Sequence, residues 1–265
     1  MKEILTRAAG YLAKAQHMDG SWDAGDPFVC ARAALALQAA DGPELARDTG
    51  VSYLERLQGP DGRFPGKAGM YTDAACTAYV LVVLNRFSYS KASLPVSRGL
   101  LWLLERQNED GSWSGRNATK NAYTTSICLR ALHTYYLYGL AKYRRGAEHV
   151  LAYVSGEGFF AEPVSHVYAP VLNLQRIGLL PGTIRDAFVA FAAEQADIAM
   201  KGGQTADVAY LAGTLAALGE KGLYGQCSAW LAGVQNSDGG FGKDTKSESD
   251  PNWAALVVLA LADRL

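Results

Sequence analysis

Four segments of the 265-residue chain repeat one another: AQHMDGSW ending at Trp22, LQGPDGRF ending at Phe64, RQNEDGSW ending at Trp113 and VQNSDGGF ending at Phe241. A self-similar unit at near-regular spacing means like supersecondary pieces stacked on one another, and this constrains the fold more than any other feature. Each Gln (Gln16, Gln58, Gln107, Gln235) closes an amphipathic helical stretch. An Asp-Gly or Gly-Gly turn follows, and the aromatic residue falls where it can fold back over the helix end. The interval from Gln107 to Gln235 is about three times the earlier ones, which leaves room for two degenerate copies. YVSGEGFF, Tyr153 to Phe160, keeps the Gly and the aromatic; EQADIAMKGG, Glu194 to Gly203, keeps Gln195 and the glycines. Six corners are therefore predicted, near residues 16–22, 58–64, 107–113, 153–160, 194–203 and 235–241.

An apolar helix follows each corner: Pro27 to Ala40, Tyr71 to Phe87, Tyr123 to Gly139, Val164 to Leu179, Thr205 to Gly219 and Asp250 to Leu265. A more polar helix with an apolar stripe precedes each one, as in SRGLLWLLERQ. The small and apolar residues of CARAALAL, AYVLVVL and WAALVVLAL suit helices contacted on several sides, so the first set is inner and the second outer. A ring of hairpins leaves neither end of such a stack exposed, whereas an open solenoid exposes both. The expected fold is all-α: an α6/α6 barrel, or toroid, of six helical hairpins forming a single domain over residues 1–265. Pro170, inside HVYAPVLNL, predicts a kink or break near Tyr168.

Composition bounds the partners. With 49% hydrophobic residues, 19% charged and a formal net charge of −1, the chain has no field to draw nucleic acid. MKEILTRAAGYLAKAQ alternates charged and apolar residues, unlike a secretion signal, so a cytoplasmic location is expected. No apolar run approaches the roughly 20 residues that span a bilayer. Cys30, Cys76, Cys128 and Cys227 form no C-x-x-C pair and sit in or beside apolar segments, reading as buried thiols.

The Gln, Asp-Gly and aromatic corner resembles the repeat of squalene and oxidosqualene cyclases, and QNSDGGFG is similar to protein prenyltransferase β-subunits. The likeness covers essentially the whole chain and implies their shared α/α barrel. It implies nothing about chemistry, because the corners are structural. A class II cyclase protonates an alkene with the middle Asp of D-x-D-D-T-A at the start of an inner helix. Here Asp73-Ala74-Ala75-Cys76-Thr77-Ala78 keeps the first Asp and the Thr-Ala, but Ala75 stands in the acid's place. Asp73 then has two readings, a relocated acid or a helix cap, and Thr72 could equally supply the cap. In prenyltransferases zinc is held by an Asp and a Cys at the fifth inner helix and a His at the sixth. The matching stretches here, TADVAY and SDPNW, keep Asp207 and Asp250 but have Ala209 and Trp253 instead of the Cys and His, so no metal is expected. The absence of D-D-x-x-D, and of any Cys-His pair around His17, His133, His149 and His166, speaks against the magnesium and lanthionine-cyclase readings. No cofactor is expected.

On this alignment the catalytic candidates at the inner-helix starts are Asp73, Asp207 and Asp250. Phe28, Tyr71, Cys76, Tyr123, His166, Tyr168, Tyr210 and Trp253 would wall a substrate cavity. Aromatic faces stabilise carbocations, each by roughly 0.5–2 kcal/mol, but aromatics also fill barrels because they pack well. Lys67, Arg116, Lys120 and Lys243 on the same rim are candidates for holding a diphosphate, with ordinary solvated loop charge as the alternative. These residues imply a noncanonical class II-like terpenoid cyclase acting on a hydrophobic isoprenoid or polyene. The alternatives are a non-catalytic isoprenoid-binding or partner-binding barrel and a prenyltransferase-like subunit, and a homo- or hetero-oligomer is compatible with each reading.

Overall fold

The computed structural model describes residues 1–67, 72–113 and 118–263, the side chains of 118–121 excepted. Twelve α-helices and no strands are found among them. The inner set is α2 (Pro27–Ala39), α4 (Asp73–Arg86), α6 (Ala118–Thr134), α8 (Val164–Arg176), α10 (Thr205–Leu218) and α12 (Pro251–Leu261). The outer set is α1 (Lys2–Lys14), α3 (Glu44–Leu57), α5 (Leu94–Glu105), α7 (Ala141–Val154), α9 (Gly182–Lys201) and α11 (Lys221–Gly233). The two sets alternate, as the repeat requires. Inner helices are buried all round: from Ala74 to Leu84 in α4 every residue but Tyr79 is buried. Outer helices bury one stripe, which in α7 is Tyr143, Gly146, Ala147, Val150 and Val154.

The helices fall into two compact units. One comprises Met1–Gly25, Arg32–Tyr53 and the chain from Arg185 onward; the other comprises Asp26–Ala31 and Leu54–Ile184. In the second unit α4, α6 and α8 pack in succession, with α5 and α7 behind them. In the first, α10 packs on α11 and α12, and α12 packs on α1, so the last hairpin meets the first.

The corners explain the repeat atom by atom. The side-chain amide of Gln107 donates both to the Gly111 carbonyl, 2.8 Å, and to the Lys142 carbonyl at the start of α7, 2.8 Å. Gln58 does the same to Gly62 and Pro95, Gln16 to Gly20 and Ala46, and Gln235 to Gly239 and Ile4. Each Gln thus clasps its own turn to the next outer helix, and for Gln235 that helix is α1. The turn glycine is needed twice over. Gly111 has φ +86°, and a Cβ there would lie 2.5 Å from the Arg145 carbonyl oxygen. Trp22 and Trp113 are fully buried and donate their indole N–H to Leu12 and Leu103 carbonyls at 2.8 and 2.7 Å. Their rings press on Gly50 and Gly146, where a Cβ would meet ring carbons at 2.7 Å. Trp113→Phe is expected to cost about 2 kcal/mol in denaturant unfolding, since the Leu103 carbonyl loses its donor and the pocket is underfilled.

Three boundaries differ from expectation. α6 starts at Ala118, ahead of Tyr123. α9 runs unbroken through Gln195 to Lys201, because EQADIAMK holds no breaker, and the chain turns only at Gly202 and Gly203. α8 likewise continues through Pro170 without the break expected near Tyr168, the proline removing only its own N–H from the ladder.

Candidate functional site

In the second unit, α4 opens on a threonine cap: Thr72 Oγ1 accepts from the Ala75 N–H at 3.1 Å. Asp73 is therefore not the cap. One of its oxygens accepts from Arg63 Nη1 at 2.9 Å and the other from the Gly66 N–H at 2.7 Å, tying the 63–66 loop to the helix start. Both oxygens are engaged by groups that suit a structural strut. Behind it lie Cys30, Cys76 and Cys128, all fully buried. Burial, with Asp26 and Asp73 nearby, pushes the Cys76 thiol well up, and burial alone does so for Cys128, so neither is a thiolate. Asp26 caps α2 through one oxygen, which accepts from the Phe28 N–H at 2.8 Å, while the other is buried with no hydrogen-bond partner among the described residues.

Several expected wall residues converge in this unit. Phe28 stacks on Tyr79 with centroids 4.2 Å apart, and Tyr123 meets Tyr168 edge-on at 6.3 Å. His166 turns instead to Glu162, just ahead of its helix, 3.3 Å away. Lys67 is exposed. Tyr71, Arg116 and the Lys120 side chain lie outside the described residues.

In the first unit, Asp250 caps α12, accepting from the Asn252 and Trp253 N–H groups at 2.8 and 3.4 Å. Asp207 is different. It sits in the first turn of α10, and its carboxyl accepts no hydrogen bond among the described residues. Burial pushes its pKa up, opposed by the Lys243 ammonium. The Lys243 segment is stitched to the same helix start: the Ala206 N–H donates to the Lys243 carbonyl at 3.0 Å, and the Thr245 N–H to Gly203 at 2.9 Å. Tyr210, one turn on, is buried. Asp207 has the features of a proton donor: a partly desolvated carboxyl with no competing partner, and a cation placed to favour its conjugate base.

One group escaped the sequence reading. Arg130, one turn before the end of α6, donates to Asn173 Oδ1 at 3.2 Å, and Asn173 Nδ2 donates to Ser126 Oγ at 3.1 Å. The signal was the spacing of seven residues that puts Arg130 on the Tyr123 face and Arg86 on the Tyr79 face. Among the described residues no three His, Cys, Asp or Glu side chains converge to hold a metal ion. No described helix is long and apolar enough to cross a membrane.

Comparison with known proteins bears out the resemblance to terpene cyclases read in the sequence. Residues 68–152 match the squalene-hopene cyclase C-terminal domain. Over 126 residues the chain is 30% identical to a drimenyl diphosphate synthase of Streptomyces showdoensis, covering 43% of this chain and 24% of that protein. Over 158 residues it is 28% identical to the squalene–hopene cyclase of Zymomonas mobilis, covering 52% of this chain and 24% of the relative. The chain thus spans about a quarter of the length of these relatives. Among solved structures, a protein from Actinoplanes superposes with a TM-score of 0.71 at 16% identity, covering 99% of this chain and 98% of its own. The type II terpene cyclase MstE from Scytonema, in complex with geranylgeranyl dihydroxybenzoate, superposes at 0.65 with 14% identity, covering 99% and 96%. These likenesses show the fold: the all-α helical barrel of the type II terpene cyclases.

Proposed function

We propose that the chain is a noncanonical class II-like terpenoid cyclase that starts cyclisation of an isoprenoid or polyene by protonating an alkene from Asp207. The observation that carries this reading is the unpartnered, partly desolvated Asp207 carboxyl beside Lys243 at the start of an inner helix. The Asp207 proton moves to the terminal alkene carbon, and the π electrons of the next alkene close a ring on the cation so formed. Lys243 favours the carboxylate left behind, and loss of a proton from the final cation restores the balance. The relatives and neighbours support the reading: a drimenyl diphosphate synthase, a squalene–hopene cyclase and a type II terpene cyclase that takes geranylgeranyl dihydroxybenzoate as substrate. Ala75 stands where the resemblance puts the standard acid, and both Asp73 oxygens are already engaged, so the acid role falls to Asp207.

The working form is the neutral acid, so kcat is expected to fall as pH rises through the raised pKa of Asp207. Lys243→Gln removes the charge that holds that value down and shifts the falling limb to higher pH; a pH–rate profile of both proteins checks it. A limb that stays in place removes Lys243 from the mechanism. The second reading, a non-catalytic isoprenoid-binding barrel, is favoured by Ala75. It predicts saturable binding without product.

A further inference from the structure

α10 begins differently from three other inner helices. In α2, α4 and α12 a side chain does the capping: Asp26 accepts from the Phe28 N–H, Thr72 from the Ala75 N–H and Asp250 from the Asn252 N–H. Free N–H groups at a helix start draw a nearby side-chain oxygen in this way. Asp207 stands in the first turn of α10 and is not drawn in, and Gln204, the residue ahead of the helix, makes no side-chain cap either.

The cap comes from another part of the chain. The Ala206 N–H donates to the Lys243 carbonyl at 3.0 Å. The two preceding N–H groups are also taken, Gln204 by the Ala199 carbonyl at 2.8 Å and Thr205 by the Gly203 carbonyl at 3.1 Å. With these donors occupied, none of them is left for the Asp207 carboxyl. Lys243 therefore acts twice: its backbone oxygen caps α10, and its ammonium acts on Asp207, the next residue of the helix. The charges of the surrounding elements are placed elsewhere. Lys201, which ends α9, pairs with Asp197 at 2.6 Å; Asp250 is engaged in capping α12; and α11 carries only Lys221, at the opposite end of α10.

An exposed lysine has too much rotamer freedom to keep this place by itself. It is carried by the loop of residues 242–249, closed at its base by the Asp250 N–H donating to the Phe241 carbonyl at 3.0 Å. On the α10 side, the Thr245 N–H donates to the Gly203 carbonyl at 2.9 Å, and Thr245 Oγ1 lies so near Gly203 that a Cβ there would collide with it. On the side of the sixth corner, the Ser249 hydroxyl donates to Asp238 Oδ1 at 2.7 Å and accepts from Asn236 Nδ2 at 3.0 Å. Asp244 stiffens the span between, accepting from the Lys246 N–H and the Ser247 hydroxyl, each at 2.9 Å. The loop is a brace from the sixth corner to the start of α10.

We propose that Thr245 and Ser249 are positioning residues for the Asp207 acid. They hold the 242–249 loop so that the Lys243 carbonyl caps α10, leaving the Asp207 carboxyl free of the backbone, while the Lys243 ammonium is set beside that carboxyl. This deepens the reading of Asp207 as the initiating acid and rests on it for its role in turnover.

The test titrates Asp207 directly by carboxyl-carbon NMR on the full chain, the resonance being identified by its loss in Asp207→Asn. In the wild-type background Lys243→Gln is expected to raise the Asp207 midpoint. Thr245→Pro combined with Ser249→Ala undoes the brace at both ends, and in that background Lys243→Gln is expected to leave the midpoint where it was. An equal shift in both backgrounds overturns the proposal, and so does no shift in either. The Ala206 amide is expected to exchange roughly tenfold or more faster in the loosened protein than in wild type, and to keep its wild-type rate in Lys243→Gln, whose backbone carbonyl is unchanged. An Ala206 rate that does not respond to the loosening overturns the brace. Should the loosened protein not fold, the single substitution decides the matter: Ala206 protection that is absent from wild type, or lost in Lys243→Gln, overturns it. Neither measurement needs substrate. Coupled Asp207 and Lys243 without any cyclised product sinks the cyclase reading and leaves the brace, and cyclised product with no coupling between them does the reverse.

Discussion

Gly111→Ala is expected to destabilise the fold by about 3 kcal/mol or more, a large loss for the addition of a single methyl group. Two penalties combine. A left-handed conformation costs a non-glycine residue roughly 1–2 kcal/mol, and Gly111 has φ +86°. The added Cβ would also lie 2.5 Å from the Arg145 carbonyl oxygen, which belongs to helix backbone and cannot step aside alone. Relief requires α7 to move away, and that stretches the Gln107 clasp to the Lys142 carbonyl. Gln107→Ala, which leaves the Gly111 and Lys142 carbonyls without this donor, should lose about 2–3 kcal/mol by the complementary route. Urea unfolding followed by circular dichroism measures both. A Gly111→Ala protein with an unchanged midpoint would mean that the corner is not the clasp described.

Asp207→Asn is expected to lower kcat by about 10²–10⁴-fold, the usual worth of a positioned general acid, with little change in substrate binding. Asp73→Asn should leave most turnover in place, because Asp73 holds the 63–66 loop through Arg63 and Gly66. The stability change has a definite sign. The fold raises the pKa of Asp207, so its contribution is fully present below the unfolded value of 3.8 and is lost as pH rises through the folded value. At neutral pH the asparagine variant should therefore be at least as stable as wild type. An Asp207→Asn protein that is both inactive and unfolded would point to a structural role.

Much of the fold was readable because its determinants are local. Gln, turn glycine and aromatic sit within seven residues in Gln107 to Trp113, and the alternation of polar-striped and all-apolar helices follows from side-chain period alone. The sequence could not show what the Gln amide reaches across to, since Lys142 lies on the next hairpin. The fifth corner was placed too broadly because Gln195 mimics the motif, while nothing in EQADIAMK stops a helix.

The site was less legible for the same physical reason. Asp73, Asp207 and Asp250 all occupy inner-helix starts and look alike in sequence, but their partners separate them: a loop arginine and an N–H, a lysine ammonium, and the backbone of α12. The Arg130–Asn173 contact depends on residues one hairpin apart meeting side by side.

The central claim is acid-initiated cyclisation from Asp207. It is tested most directly by incubating wild type and Asp207→Asn in deuterium oxide with farnesyl diphosphate, geranylgeranyl diphosphate and a geranylgeranylated dihydroxybenzoate, with products read by mass spectrometry. The wild type should yield a cyclised product carrying one solvent deuterium per initiation, and the variant should yield almost none. No cyclised product from any of the three substrates, or undiminished turnover by Asp207→Asn, would contradict it.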